Sequence, residues 1–318
     1  MTPGIYAMPA AHYHADPCPA PSMSAHDAQT LLSRSAAHAW HDHPRLNPQW
    51  QPDDPTPEQE EGLALHALLL EQENRVQPVN APDWRKKEAQ EARALARAAG
   101  VIPILAHRWD ELRGTAEALR KTLAAHEVGD FLARPGAPEQ TMLWQEDTDA
   151  GPIWCRSRVD WLCEDVPLLI DLKTVGGSAS PDAWARSPQG KEAPLRAAHY
   201  LRGAEACGLA RPRYFFALLE RDAPHGVSIC ELSQALMTVG REQHEAARET
   251  WALCLRDGLW PSYPGFLATI EASTAAIYAH EDWKARREQM RQRAQRPFMH
   301  QAGGAVAEAI RNGGNPFA

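Results

Sequence analysis

Apolar and polar positions follow a helical period at first, switch to alternation in the middle of the chain, and then mix the two. Thr56-Pro57-Glu58-Gln59 reads as a helix start: Thr56 caps, Pro57 takes the first helical position, and Gln59 reaches back to the cap. The spacing predicts a helix over about 57–71 with Leu63, His66, Ala67 and Leu70 on one face, which would turn His66 toward the core. Further helices are expected over about 84–99, stopped by Gly100, and over about 108–126. The segment before residue 56 is rich in Pro, His and Ala. It carries one short helical piece near DAQTLLSRSAAHAW, with Ser24 as cap and Asp27 three residues on.

The period changes to two between Glu139 and Thr174, where TMLWQ, WCRSRVDWL and PLLIDLKT read as strands separated by the turn signals EDTDAGP and CEDVP. VGGSASPDAWARSPQGKEAP has the composition of a loop. A helix at PLRAAHYLRGAEAC ends at Gly208, RYFFALLER and VSICELS form a hairpin around DAPHG, and a helix follows over 233–259. This order predicts an α/β fold with a mixed central β-sheet flanked by helices. The expected organisation is an N-terminal extension (1–55), a core (56–264) and a C-terminal basic helix and tail (265–318).

With 318 residues, 44% of them hydrophobic, the chain can build one large core. MTPGIYAMPAA lacks a basic region leading into an apolar one, and LALHALLL is far too short to span a bilayer, so a cytoplasmic protein without membrane association is expected. Its six cysteines are scattered with no CxxC pair, which argues for reduced thiols and against zinc or an iron–sulfur cluster. A net charge of −8 argues against a broad basic surface for nucleic acid, though it leaves room for a local patch or an enclosed channel. His38, His41 and His43 in HAWHDH lack further ligands at fixed spacing and read as surface histidines.

Candidate chemistry lies in RVDWLCEDVPLLIDLKT. A turn at Asp165-Val166 pairs residues whose numbers sum to 331, which sets Asp160 opposite Asp171. Lys173, two residues on, projects on the same face as Asp171. One reading is an ion pair on an exposed sheet edge. The other is a cation site: two aspartates this close repel unless a cation lies between them, and hard oxygen ligands suit Mg²⁺ or Mn²⁺. A histidine on an apolar helix face is ordinarily a hydrogen-bonded core residue, yet His66 would be a further ligand if its helix packs beside the strand ends. Glu139 is a candidate third carboxylate, although a glutamate at a strand start is ordinarily solvated.

Together these residues resemble the PD-(D/E)XK nuclease superfamily, and within it the phage and bacterial exonuclease VIII (RecE-type) group. The resemblance runs from Tyr13 to Pro264 through YHA and SMS, GLALHALLL, DWRKKEAQEARALARAAGVIPIL, CRSRVDWL and LLIDLKT. It implies that Asp160 and Asp171 bind one or two Mg²⁺ or Mn²⁺ ions with the Leu172 carbonyl, that His66 completes the metal site, and that Lys173 stands near the attacking water. Tyr200 matches the tyrosine of a Gln-x-x-x-Tyr helix, but Arg196 stands where the glutamine is expected and Val159 replaces the motif proline. Arg196 would either grip a DNA phosphate or pair with an active-site carboxylate, and Arg158 is a second expected nucleic-acid contact. The implied activity is an exodeoxyribonuclease that degrades double-stranded DNA from the 5′ end. The 3′ tails would serve a single-strand annealing protein in recombination, and the enzyme would be a ring-shaped homo-oligomer. Arg196 also admits a non-catalytic DNA-end-binding scaffold, and residues alone leave an RNA substrate open. In HEDWKARREQMRQRAQRP, Lys284, Arg286, Arg287, Arg291, Arg293 and Arg296 lie on an expected helix that reads either as a solvated face or as a basic surface for backbone phosphates.

Overall fold

The computed structural model describes residues 1–295 apart from 53, 71, 72 and 266, so the expected helix end at Glu71 and the basic residue Arg296 lie outside the described residues. The chain forms two compact units, Met1–Tyr263 and Pro264–Ala318. In the first, β1 (Gly4–Ala7), α1 (Ala10–His14), β2 (Ser22–Met23), α2 (Ala25–Ser33) and α3 (Ala36–Asp42) precede α4 (Pro57–Leu69). There follow β3 (Val76–Val79), α5 (Lys87–Ala98), β4 (Ile102–Leu105), α6 (Ala106–Ala124), β5 (Gly136–Glu146), β6 (Ile153–Cys163) and β7 (Leu168–Val175). The unit closes with α7 (Pro181–Arg186), α8 (Pro188–Ala206), β8 (Arg213–Glu220), β9 (Val227–Cys230) and α9 (Gln234–Asp257). The second unit holds α10 (Thr274–Gln295).

A central sheet in the order β1-β5-β6-β7-β8-β9, with β2 added to β6, is mixed as expected: β7–β8 and β2–β6 are parallel, the other pairs antiparallel. Helices cover both faces. Met142, Trp144, Phe216 and Leu218 pack with residues of α2, α8 and α9 on one side. Ile170, Leu172, Phe215, Ala217 and Leu219 pack with α4 and α6 on the other. No described helix is long and apolar enough to cross a membrane.

Local chemistry explains the helix starts. Thr56 and Gln59 form a capping box, as do Ser24 and Asp27. The segment before residue 56 differs from the expected extension with one short helix. β1 extends the sheet edge at β5 and β2 pairs with β6, because GIYA and the buried Ser22-Met23 supply extended backbone for strand edges that would otherwise stay open. His43 is also not a surface residue: it is fully buried, its Nε2 beside the Ser22 carbonyl at 3.1 Å. The expected loop after β7 contains α7 and the start of α8, whose Ser187 cap and Pro188 nucleate the helix ahead of an internal Pro194. The start of α4 is clamped by Glu60, a 1% exposed carboxylate gripped by Arg93 and Arg97 of α5.

Buried histidines tie stability to pH. His244 is drawn down to about 4, by burial first, with nearby Glu146 opposing and Arg248 and Arg202 adding to the shift. Burial also holds His199 well below its ordinary range, and the ring stacks edge-on against His244. The unfolded chain therefore binds more protons below pH 6.5, so stability is complete above that value and is lost as pH falls toward 4. His244 alone should contribute a loss on the order of 3 kcal/mol. Urea unfolding at pH 7.5 and pH 4.5 should show this slope, reduced in His244→Gln; equal slopes in the two proteins would refute it.

Candidate active site

β6 and β7 are laddered only at Leu162↔Leu169 and Trp161↔Ile170. That is the expected register, and its next step sets Asp160 across from Asp171 where the ladder stops and the strands part. On β7, Ile170 and Leu172 enter the core beneath α4 and α6. Alternation then sends Asp171 and Lys173 to the face covered by α8, with Leu169.

On β6 the alternation inverts. Ile153, Cys155 and Val159 belong to the core on the α8 side, whereas Trp161 and Cys163 belong to the opposite one and Leu162 returns to the first. Val159 and Asp160 therefore face the same way. The register on either side, Pro138↔Trp161 and Gln140↔Val159, leaves Glu139 across from this step, and its φ of 56° lies in the left-handed region that glutamate rarely adopts. The kink turns Asp160 onto the face of Asp171.

Asp160 Oδ2 accepts the Leu172 N–H at 2.7 Å, and Lys173 Nζ donates to Asp171 Oδ1 at 2.6 Å. The Asp160 carboxyl group lies close enough to feel the charge of Asp171. With both ionised neither can donate, and Asp171 Oδ2 is left buried without a partner. Burial, then the charge of Asp171, pushes Asp160 well above the usual carboxylate range. Burial acts on Asp171 the same way but is overcome by Lys173 and next by Arg196, which hold it below that range.

His66 is half-buried on α4, while Leu63, expected beside it on the core face, is 47% exposed. Ala67 and Leu70 are buried as expected, and Ala64, Leu65, Leu68 and Leu69 join them, because the second half of this helix is apolar nearly all round and periodicity alone does not single out one side. Burial, then Lys173, draws the imidazole down to about 4, with Asp171 and Glu139 opposing. It is thus neutral at pH 7, the form that binds metals, and within reach of the site's charges. The Glu139 carboxylate is held by Arg158 Nε at 2.5 Å and by Arg75 at 3.6 Å. Among the described residues no three His, Cys, Asp or Glu side chains are gathered to hold a metal ion, so His66 and Glu139 are not drawn into one cluster with the aspartates. Competing partners explain the difference, since arginines occupy Glu139 while Lys173 and the Leu172 N–H occupy the aspartates. The donor set nonetheless fits Mg²⁺, which is commonly bound by one or two carboxylates with waters and substrate phosphate completing its shell. The unpartnered Asp171 Oδ2 is an oxygen of the required kind.

The remaining expected residues lie on one side of the pair. Tyr200 donates its hydroxyl to the Arg158 carbonyl at 2.9 Å, tying α8 to β6 two residues before Asp160. Arg158 is committed internally, to Glu139, to the Met8 carbonyl at 2.7 Å and to Thr141 Oγ1 at 3.3 Å. Arg196, one turn before Tyr200, keeps its charge against burial chiefly through Asp171. Arg196, Arg158 and Tyr200 line a cavity of about 800 Å³ together with Tyr13, Trp50 and Arg156. Sequence reasoning missed these last three as site residues. Arg156 carried a readable signal, a cation amid alternating strand residues; it is buried and paired with Asp27 at 3.3 Å.

Residues 32–272 match the model of a family described as a PDDEXK-like domain of unknown function, DUF3799. The chain belongs to this family. The PDDEXK-like domain thus spans both aspartates, Lys173 and α8. No curated protein matches the chain. Among solved structures, a protein from Eubacterium rectale described as "Putative exonuclease" is 10% identical with a TM-score of 0.54, over 86% of this chain and 98% of that one, a likeness of fold. SSO0001, 12% identical over 62% of this chain and 86% of that one, has a TM-score of 0.26 and carries no argument. The PDDEXK-like assignment confirms the superfamily expected from the motifs, at a coarser level than the RecE-type group.

Proposed function

We propose that the protein is a divalent-metal-dependent nuclease that hydrolyses DNA phosphodiesters, acting as an exodeoxyribonuclease on duplex ends. The observation that carries this reading is the convergence of Asp160, Asp171 and Lys173 where β6 and β7 separate. Attack on a phosphodiester is slow because nucleophile and phosphate are both electron-rich, so a nuclease must offset charge and align water. Asp160 and Asp171, with the Leu172 carbonyl, would hold Mg²⁺ or Mn²⁺, and His66 would be a further donor. The ion would supply charge neutralisation at the phosphate and acidify water. Lys173, anchored on Asp171 Oδ1, has two further N–H donors to orient the attacking water and steady charge on a phosphate oxygen. Tyr200 positions the strand bearing Asp160 through the Arg158 carbonyl, and Arg158 holds Glu139 in its strained conformation. Arg196 would offer a cation to a DNA phosphate in the cavity that it lines.

Attack from the 5′ end, supply of 3′ tails to an annealing protein and assembly into a ring rest on the resemblance of the motif series. Duplex DNA labelled at either 5′ or 3′ ends, incubated with Mg²⁺ or with EDTA, tests the reading. Metal-dependent release of mononucleotides from the 5′ label is expected. Intact DNA in every metal would refute nuclease action, and cleavage without metal would refute the assigned roles.

α10 supplies a candidate contact for the DNA backbone. Its Lys284 and Arg286 pair with Glu281 and Asp282, while Arg287 lies over the Trp283 ring. If Arg287, Arg291 and Arg293 neutralise phosphates, replacing all three with Ala should lower the slope of log affinity against log salt by about 2–3. The weakening should be equal on any sequence. An unchanged slope in fluorescence anisotropy would retire this contact.

A further inference from the structure

β6 changes partners along one edge. β5 takes the other edge almost from end to end, while on this one β2 pairs at Trp154 and Cys155 and β7 at Trp161 and Leu162. Residues 156–160 between them have no strand alongside, so their buried backbone groups need other partners. α8 supplies them with side chains: His199 Nε2 stands 3.0 Å from the Arg156 carbonyl, and Tyr200 donates its hydroxyl to the Arg158 carbonyl at 2.9 Å. The cavity of about 800 Å³ opens at this gap, lined by Arg156 and Arg158 of β6, Arg196 and Tyr200 of α8, and Tyr13 and Trp50 of the N-terminal segment. Asp160 ends the gap, two strand steps or about 7 Å past Arg158.

Much of this lining is unengaged. The Arg156 side chain is 6% exposed, yet its Nε is buried without a hydrogen-bond partner. Arg196 has no hydrogen bond or ion pair among the described residues, and the half-buried rings of Tyr13 and Trp50 make no hydrogen bond there either. Cations with free donors suit phosphate, and aromatic rings lining a cavity suit a nucleobase, because every base has a π-face. We propose that the cavity takes one unpaired nucleotide of a DNA end, its base against the rings of Tyr13 and Trp50. The inference rests on the nuclease reading above and adds to it a pocket that holds a base. A volume of this order belongs to small-molecule sites, and a duplex, whose major groove alone is about 12 Å wide, does not enter it. One strand does, and contact with the rings favours the opened terminal pair. Stacking is tolerant of sequence, so any of the four bases should serve.

Fluorescence anisotropy in EDTA, where metal-dependent cleavage is silent, tests this on the full chain. The duplexes carry a two-nucleotide overhang at the 5′ end in one set and the 3′ end in another, with the terminal base present or removed to leave an abasic sugar. In at least one set the native protein should bind the intact overhang about tenfold more tightly than the abasic one, the change expected for a stacked base. Trp50→Ala and Tyr13→Ala should each cut that ratio to about threefold or less, and Trp50→Phe should keep most of it. Equal affinity for intact and abasic ends in both sets, no binding at all, or a ratio unchanged in both alanine variants would overturn the pocket. The first two outcomes need only the native protein, so a variant that fails to fold does not shield the proposal. Cleavage of the same duplexes in Mg²⁺ is scored separately: its absence would overturn the nuclease reading, whereas cleavage without a base effect would overturn the pocket alone.

Discussion

Asp171→Asn is expected to lower metal-dependent hydrolysis of duplex DNA by at least about a thousandfold in single-turnover assays, with a folded protein remaining. The amide preserves the shape of the carboxyl group and keeps an oxygen for Lys173, whose bond to Oδ1 is 2.6 Å long. What it removes is charge at three places at once. Asp160 loses the neighbour with which it would share a cation, Lys173 loses the anion that fixes its ammonium, and Arg196 loses its chief electrostatic support. Groups that act as a unit fail together, so Asp160→Asn and the double variant should fall to nearly the same residual rate rather than multiplying their losses. Folding should suffer less, because Leu172, Ile170 and Leu169 hold β7 in both cores. Activity of Asp171→Asn within tenfold of the native protein would remove the pair from the chemistry.

How this site could be read from sequence, and where reading stopped, has a physical basis. The register of β6 and β7 was legible because a short turn at Asp165-Val166 leaves little freedom in pairing, and one wrong step would turn Ile170 and Leu172 out of the core. Capping boxes at Ser24 and Thr56 were legible because they are local hydrogen bonds. Periodicity could not find the inversion between Val159 and Asp160, since the kink at Glu139 depends on a partner strand. Nor could it find β3 and β4, four residues each, paired in parallel across α5 and interrupted by Pro78 and Pro103. The same limit applied to Glu139 itself: as a strand-start glutamate it looks solvated, and only tertiary structure supplies Arg158 and Arg75. His66 was placed on the right helix and beside the buried Ala67 and Leu70, but Leu63 was turned the wrong way, because the second half of α4 is apolar nearly all round and its orientation is set by long-range contacts.

Those contacts lead to the second large effect: Glu60→Ala should destabilise the first unit by about 3 kcal/mol and lower its melting midpoint by roughly 6–10 °C. The carboxylate accepts from Arg93 at 2.5 and 2.9 Å and from Arg97 at 2.8 Å, and its side chain is 2% exposed. Truncation leaves two guanidinium groups partly buried, with side chains only 17% and 22% exposed. The expected cost sits at the low end for a broken buried pair because Arg97 retains Asp54 at 3.0 Å and Arg93 retains the face of Trp84. Glu60 also lies in the first turn of α4, where a negative charge favours the helix dipole. If stranded charge is the cause, replacing all three residues with apolar ones of similar volume should recover most of the loss, whereas Arg93→Ala in the Glu60→Ala background should recover part of it. Equal instability of the single and triple variants in urea titrations would show instead that packing at the α4–α5 contact was lost. The clamp also bears on chemistry. Gly62, two residues on, sits where an added Cβ would be 3.8 Å from Thr174 Oγ1, so the start of α4 rests against the end of β7, and His66 follows one turn later. Loosening that start should therefore move the imidazole away from the charges of Asp171 and Lys173. The weakened fold should be accompanied by weaker Mn²⁺ binding at temperatures well below the melting midpoint.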